Sequence, residues 1–303
     1  MPHPRELLIR HPESPILTWQ DCPIPVNAVY NPGAARVGER YLLLPRVEDT
    51  RRDNRLHCAW SDDGVHFTLE PNPAPIPLPE EDRPFEYHQY DARITPLEGE
   101  FFIAYCAQGF DETHRIALAR TGDFVTFERV GFITEPYCRN CALFPERIGG
   151  MYARIDRMMS GDLMRNFVTL SPDLIHWGQS RPLDLAPQTW MRNKWGVGPP
   201  PIRTERGWLM IFHGVWEAID PVYRLGVALL DLEEPWRVIG QCPDFIMTPT
   251  TDFERIGEVN NCIFANGAIV EPDGSVKVYY GAADTCIGLA TGSVEEMIEA
   301  CLW

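Results

Sequence analysis

Five times between residues 30 and 293 the chain repeats one pattern: a turn, an apolar strand that ends in polar residues, a link, and a second strand. ERYLLLPRVED leads to RLHCAWSDDGVHFTLE, and GEFFIAYCAQG to RIALARTGDFVTFERVG. GGMYARIDRMM leads to NFVTLSPDLIHWGQS, RGWLMIFHGVW to YRLGVALLDLEEPWRVIG, and GSVKVYYGAAD to CIGLATGS. In the first three units the second strand closes on an Asp-x-x-x-Phe/Trp turn. Phe67, Phe127, Trp177 and Trp236 mark the period, 50 to 60 residues apart. A unit this small must lean on its neighbours to bury its apolar face, so repetition at this period indicates a propeller or a solenoid. No segment resembles the polar cap a solenoid needs. The expectation is an all-β, five-bladed β-propeller, with blades over roughly 30–70, 88–131, 139–180, 196–240 and 259–293 of a single domain, 1–303. Two packed sheets are the alternative architecture.

Helical signals are confined to the ends. Ser293–Leu302 opens with a Ser-x-x-Glu capping pattern and has apolar residues at helical spacing, which predicts a short C-terminal helix. RELLIR, residues 5–10, is read as a helical turn. The 28 prolines and 23 glycines suit many turns rather than long helices.

The net charge of −16 argues against nucleic acid or an anionic membrane as a partner. No run of 18 apolar residues predicts a membrane span, and MPHPRELLIRHP has no apolar core of signal-peptide length. Nine scattered cysteines then read as reduced thiols in a cytoplasmic protein. The single Cys-x-x-Cys, Cys138 to Cys141, is weak support for metal or redox chemistry. The aromatic content, including nine Trp and ten Tyr, fits strands and also sugar binding. A homo-oligomer is left open.

In a propeller the innermost strands converge on a central pocket, so polar residues far apart in sequence meet there. Asp91-Ala92-Arg93 is expected to begin the inner strand of the second blade. A salt bridge at a strand end is the bland account of this pair; a carboxylate supplied to the pocket is the functional one. The other inner strands are read as offering Asn31 and Arg46, Arg139 and Arg157, Lys194 and His213, and Asp284. Gathering four potential cations in an acidic protein calls for an anion, such as a phosphate held by Arg forks and Lys.

The run NPGAA, RVED, YDARI, LFPE, GxGPPPI, GWLMIFHGV, YRLGVALLDLEEP, E-x-x-G-x-V-N-N and YYGAAD, in order over nearly the whole chain, resembles glycoside hydrolase family 130, the mannoside phosphorylases and their hydrolytic relatives. The resemblance implies a five-bladed propeller and a glycosyltransferase-type phosphorylase. It implies Asp91 as the catalytic acid, Arg139, Arg157, Lys194 and His213 as phosphate ligands, and Asn31, Arg46, Tyr90 and Asp284 as contacts to the donor mannose. It also implies passage of the proton through the mannose 3-hydroxyl. Several β-1,4-acting members carry Ser after the Asn, where this chain has Pro32, which points towards β-1,2 linkages. No cofactor is expected, and inorganic phosphate is the co-substrate.

An inverting hydrolase needs an acid and a base, whereas a phosphorylase needs only the acid, because phosphate is already a nucleophilic anion. One acid and a cationic cradle fit the phosphorylase. The alternatives are an inverting β-mannosidase, with Glu217 or Glu258 as base, and a non-catalytic carbohydrate-binding propeller. His88 and Trp216 are candidates for the acceptor side.

Overall fold

The computed structural model describes residues 6–302 apart from 161, 162 and 218. Five antiparallel sheets stand around one axis as a five-bladed β-propeller. The strands nearest the axis are Val26–Val37, His88–Leu97, Cys138–Leu143, Lys194–Val197 and Ile263–Val270. The first sheet thus begins earlier than the repeat suggests and the fifth begins later.

Each sheet has more strands than the two per unit that the apolar pattern displays. The outer strands, Thr68–Pro73, Glu128–Phe132, Gly178–Pro182 and Val238–Gln241, lie at exposed edges, where polar residues suffice and alternation fades. The fifth sheet takes its outer strand from the N-terminal part of the chain. Ile9 pairs with Thr291 and Arg10 with Ala290. The RELLIR segment is therefore a strand over Ile9–Arg10 rather than a helical turn; its first residue lies outside the described ones. The seven residues between Pro4 and Pro12 are too few to sustain an isolated helix, while the free edge of Cys286–Ser293 offers ladder partners. Arg10 locks the closure, donating from Nε to the buried Glu254 at 2.7 Å and from Nη1 to Glu6 at 2.9 Å.

The repeated turns have one cause. Asp63 Oδ1 accepts from the backbone N–H of Val65 and His66, Asp123 Oδ1 from Val125 and Thr126, and Asp173 Oδ1 from Ile175 and His176. Each carboxylate thus satisfies two loop donors and turns the chain towards the outer strand. The expected C-terminal helix runs Val294–Cys301, capped by Ser293 Oγ, and buries Met297, Ile298 and Cys301. A second short helix, Asp252–Arg255, is capped by Glu254, whose carboxylate accepts from the Thr251 N–H at 3.1 Å.

Apolar side chains fill the spaces between blades; Leu42, Leu44, Ile94, Ile103 and Tyr105 form part of one such layer. The nine cysteines are free, and all but Cys22 are buried. Among the described residues no helix is long and apolar enough to cross a membrane.

Candidate functional site

The innermost strands begin, and the second strands of the sheets end, at one end of the axis. There they enclose a cavity of about 260 Å³. Asn31, Arg46, Tyr90, Asp91, Arg139, Arg157, Lys194, His213 and Asp284 all line it. Their strands differ from expectation in part. Arg46, Arg157 and His213 lie on second strands, and Asp284 lies in the turn that follows one. The ends of second strands return beside the starts of the inner strands, so both sets reach the cavity.

Backbone irregularities aim the short polar side chains. The pairing register shifts between Tyr30 and Gly33, between Tyr90 and Arg93, and between Arg139 and Ala142. Asn31, Asp91 and Asn140 sit in these three bulges with φ of 46°, 55° and 55°. A bulge re-aims one side chain, and Asn and Asp tolerate the left-handed region better than other non-glycine residues. Asp91 is therefore in the middle of its strand, not at its start. Gly281 provides the matching space: a Cβ there would lie 1.9 Å from Asn31 Oδ1.

The Asp91–Arg93 salt bridge does not form. The buried Arg93 instead donates from Nε to Gly198 O at 3.0 Å, from Nη2 to Val197 O at 3.2 Å and from Nη1 to the main-chain oxygen of Asp91 at 2.8 Å. It ties the second blade to the fourth beneath the cavity. The Asp91 carboxylate accepts from Asn31 Nδ2 at 2.9 Å and lies 3.9 Å from Arg46 Nη1. Arg46 is clasped between the rings of Tyr30 and Tyr90, and donates to Asn54 Oδ1 at 2.6 Å. Burial pushes the Asp284 carboxyl up to about 7; the Arg46 charge opposes the rise and Asp91 adds to it.

The opposite wall gathers positive groups. Burial, then the neighbouring Arg139 charge, brings the Arg157 guanidinium down to about 10. With the Asn140 amide turned so that its oxygen faces Arg157, that oxygen accepts from Nη2 and Nη1 at 3.1 and 3.0 Å. Arg139 Nη2 lies 2.7 Å from His114 Nε2, and burial with the Arg139 charge lowers that imidazole to about 4. His213 is buried, and desolvation, followed by the charges of Arg157, Arg93 and Lys194, holds its pKa well below the ordinary value. It therefore joins the wall as a neutral imidazole, not as a fourth cation. Arg139 Nε, Arg157 Nε and His213 Nδ1 find no hydrogen-bond partner among the described residues.

Lys194 Nζ pairs with Glu217 at 3.1 Å, and Glu258 pairs with Arg52 at 3.3 Å. Neither glutamate lines the cavity, nor do His88 and Trp216. Sequence reasoning missed Asn140, although its place after Arg139 repeats those of Asn31 after Tyr30 and Asp91 after Tyr90. It also missed Gln108, Tyr223, Val259, Cys262 and Phe264 on the lining.

This arrangement can hold a sugar ring against carboxyl groups while an anion lies on the cationic side. Comparisons with known proteins agree. The family profile described as beta-1,4-mannooligosaccharide phosphorylase, glycoside hydrolase family 130, matches residues 10–302. The beta-1,4-mannooligosaccharide phosphorylase of Ruminococcus albus is 32% identical over 313 residues, covering 97% of this chain and 91% of its own. The 1,2-beta-oligomannan phosphorylase of a Thermoanaerobacter species is 34% identical over 274 residues, covering 87% and 89%. The solved beta-1,2-mannobiose phosphorylase from Listeria innocua, in complex with β-1,2-mannobiose, is similar with a TM-score of 0.88 and 27% identity, covering 97% of this chain and 99% of that one. The chain belongs to glycoside hydrolase family 130.

Proposed function

We propose that the protein is an inverting β-mannoside phosphorylase that converts a β-mannoside and inorganic phosphate, reversibly, into α-mannose 1-phosphate and the shortened acceptor. The carrying observation is the division of the cavity: Asp91 on one wall, and on the other a set of donors in which three buried nitrogens have no partner among the described residues. A phosphate oxygen forms the new bond to C1 as the C1–O bond to the leaving sugar breaks. The leaving oxygen receives the proton of Asp91, relayed through the mannose 3-hydroxyl. Attack from the face opposite the leaving group turns β into α. Arg139, Arg157, Lys194 and His213 position the phosphate, and Asn31, Arg46, Tyr90 and Asp284 hold the donor mannose. No cofactor enters the scheme.

The mannosidase reading requires a base able to activate water. Glu217 and Glu258 are held in ion pairs and do not themselves line the cavity, which weighs against it. For the linkage we favour β-1,2, because this chain has Pro32 where several β-1,4-acting members of the family carry Ser. Nine unpaired thiols suit a cytoplasmic setting.

The test is phosphate dependence. With β-1,2- and β-1,4-mannobiose as substrates, the protein should release α-mannose 1-phosphate only when phosphate is present, and faster from the β-1,2 isomer. Brisk release of free donor mannose without phosphate would replace this reading with the mannosidase.

A further inference from the structure

The cavity of about 260 Å³ is small beside the roughly 300–1,000 Å³ of pockets that enclose larger ligands. It suits one sugar ring and a small anion, so the rest of an oligosaccharide must lie beyond its mouth. That mouth faces the starts of the inner strands and the ends of the second strands. On the second blade this end is marked by Gln108, which lines the cavity and whose carbonyl accepts from Tyr87 N–H at 2.7 Å.

Just past this point stand two aromatic rings. Tyr87 and Phe110 lie 4.1 Å apart between centroids at a tilt of 30°, and Phe110 is 71% exposed. A single exposed apolar residue needs no explanation, but this pair is built to stay in place. Tyr87 Oη donates to Asp53 Oδ1 at 2.6 Å, and the His88 ring packs edge-on against Tyr87 at 4.6 Å. The loop carrying Phe110 is closed by Gly109 O accepting from Glu112 N–H at 3.1 Å and by Asp111 Oδ1 accepting from Thr113 Oγ1 at 2.7 Å. A fixed aromatic surface open to water beside a sugar site offers the C–H face of a pyranose a partner at little cost in ordering. Tyr87 is four residues from Asp91 along the strand direction, roughly 10–13 Å at strand spacing. That separation fits the second sugar beyond the scissile bond rather than the first.

We propose that Tyr87 and Phe110 form a stacking subsite for the second acceptor-side sugar of a β-mannooligosaccharide, which makes a trisaccharide a better substrate than a disaccharide. The proposal rests on the phosphorylase reading above. The experiment compares mannobiose and mannotriose of the linkage that is cleaved, reading mannose 1-phosphate. Phe110→Ala should lower the trisaccharide-to-disaccharide ratio of kcat/KM by about two- to tenfold, mainly through KM, the size expected for losing one aromatic face. Phe110→Trp should restore the ratio. In parallel, mannotriose and mannobiose are titrated calorimetrically into Asp91→Asn and into Asp91→Asn/Phe110→Ala. The second substitution should weaken mannotriose more than mannobiose. An unchanged ratio, or equal losses on both sugars, overturns the subsite and leaves the phosphorylase reading standing. Absence of mannose 1-phosphate from the wild type sinks the phosphorylase reading instead, and the titrations then decide by themselves whether the rings hold a sugar.

Discussion

Asp91 and Arg157 face the same cavity, yet their surroundings differ in kind. Asp91 is held before any ligand arrives, by the Asn31 amide at 2.9 Å and the Arg46 guanidinium at 3.9 Å. Arg46 is itself clasped by two tyrosine rings and an asparagine. Arg157 has Arg139 and a neutral His213 as neighbours, and the buried Arg93 also lowers its proton affinity. Like charges buried together raise one another's free energy, and an anion placed among them relieves the strain. One wall thus positions the acid, and the other stores an electrostatic demand that only an incoming anion meets.

The largest way to break the comparison is on the positioned wall. Asp91→Asn keeps the size and the place of the side chain but removes its proton-transfer function. Phosphorolysis should fall on the order of 10²–10⁴-fold, with the melting temperature nearly unchanged. Retention of more than about a tenth of the activity would remove Asp91 from the acid's role.

On the opposite wall, Arg139→Ala should raise the KM for phosphate by roughly 10- to 150-fold, from the 1.5–3 kcal/mol of a charged hydrogen bond. The KM for the sugar should move much less. Lys194→Ala should cost less than Arg139→Ala, because Glu217 already engages the Lys194 amine. A phosphate KM that rises no more than the sugar KM would dissolve the division between the walls.

A smaller effect tests how Asp91 is held. Gly281→Ala puts a methyl group into the Asn31 amide and should lower kcat on the order of tenfold, from the 1–3 kcal/mol typical of overpacking. If Gly281 acts through the Asn31 side chain, the same change in an Asn31→Ala background should cost less, since the clashing oxygen is gone and only the approach to the Asn31 backbone nitrogen at 2.8 Å remains. Additive losses in the double variant would assign Gly281 a role independent of Asn31.

The two walls were legible in the sequence to different degrees. The five blades followed from strand repetition, and the Asp turns supported the count with a mechanism. Eight of the cavity residues were read from the polar residues of the strands, the family resemblance added Tyr90 and the individual roles, and the structure brings all nine to one cavity. Three things were not legible. The bulges at Asn31, Asp91 and Asn140 are set by cross-strand register, which a single strand does not display. Arg93 reads as a salt-bridge partner because sequence shows its neighbour Asp91, not the carbonyls of Val197 and Gly198 a hundred residues on. The closing strand Ile9–Arg10 is too short for a period, and only the free edge of the fifth sheet explains it.

The last test concerns Asp284, whose carboxyl burial raises from an ordinary 3.8 to about 7. A carboxyl with a higher pKa folded than unfolded binds its proton more tightly in the native state. Between about pH 4 and pH 7 the folded chain keeps a proton that the unfolded chain has released. Stability must therefore fall as pH rises through that window, and the full penalty stands above it. Asp284→Asn has no proton to lose, so its melting temperature relative to wild type should climb from pH 4 to pH 7 and then level off. Because the side chain lines the cavity and is only partly buried, the gain should be modest, on the order of 1–2 °C for about 1 kcal/mol in a chain of 303 residues. The same variant should bind mannose more weakly, since an amide replaces the charge-assisted bonds a carboxylate makes to sugar hydroxyls. Its affinity for phosphate should hardly change. A gain in stability joined to a loss of sugar affinity would mark Asp284 as a carboxylate kept for the ligand at the expense of the fold. A melting-temperature difference that stays flat from pH 4 to pH 8 would move the titration to another group.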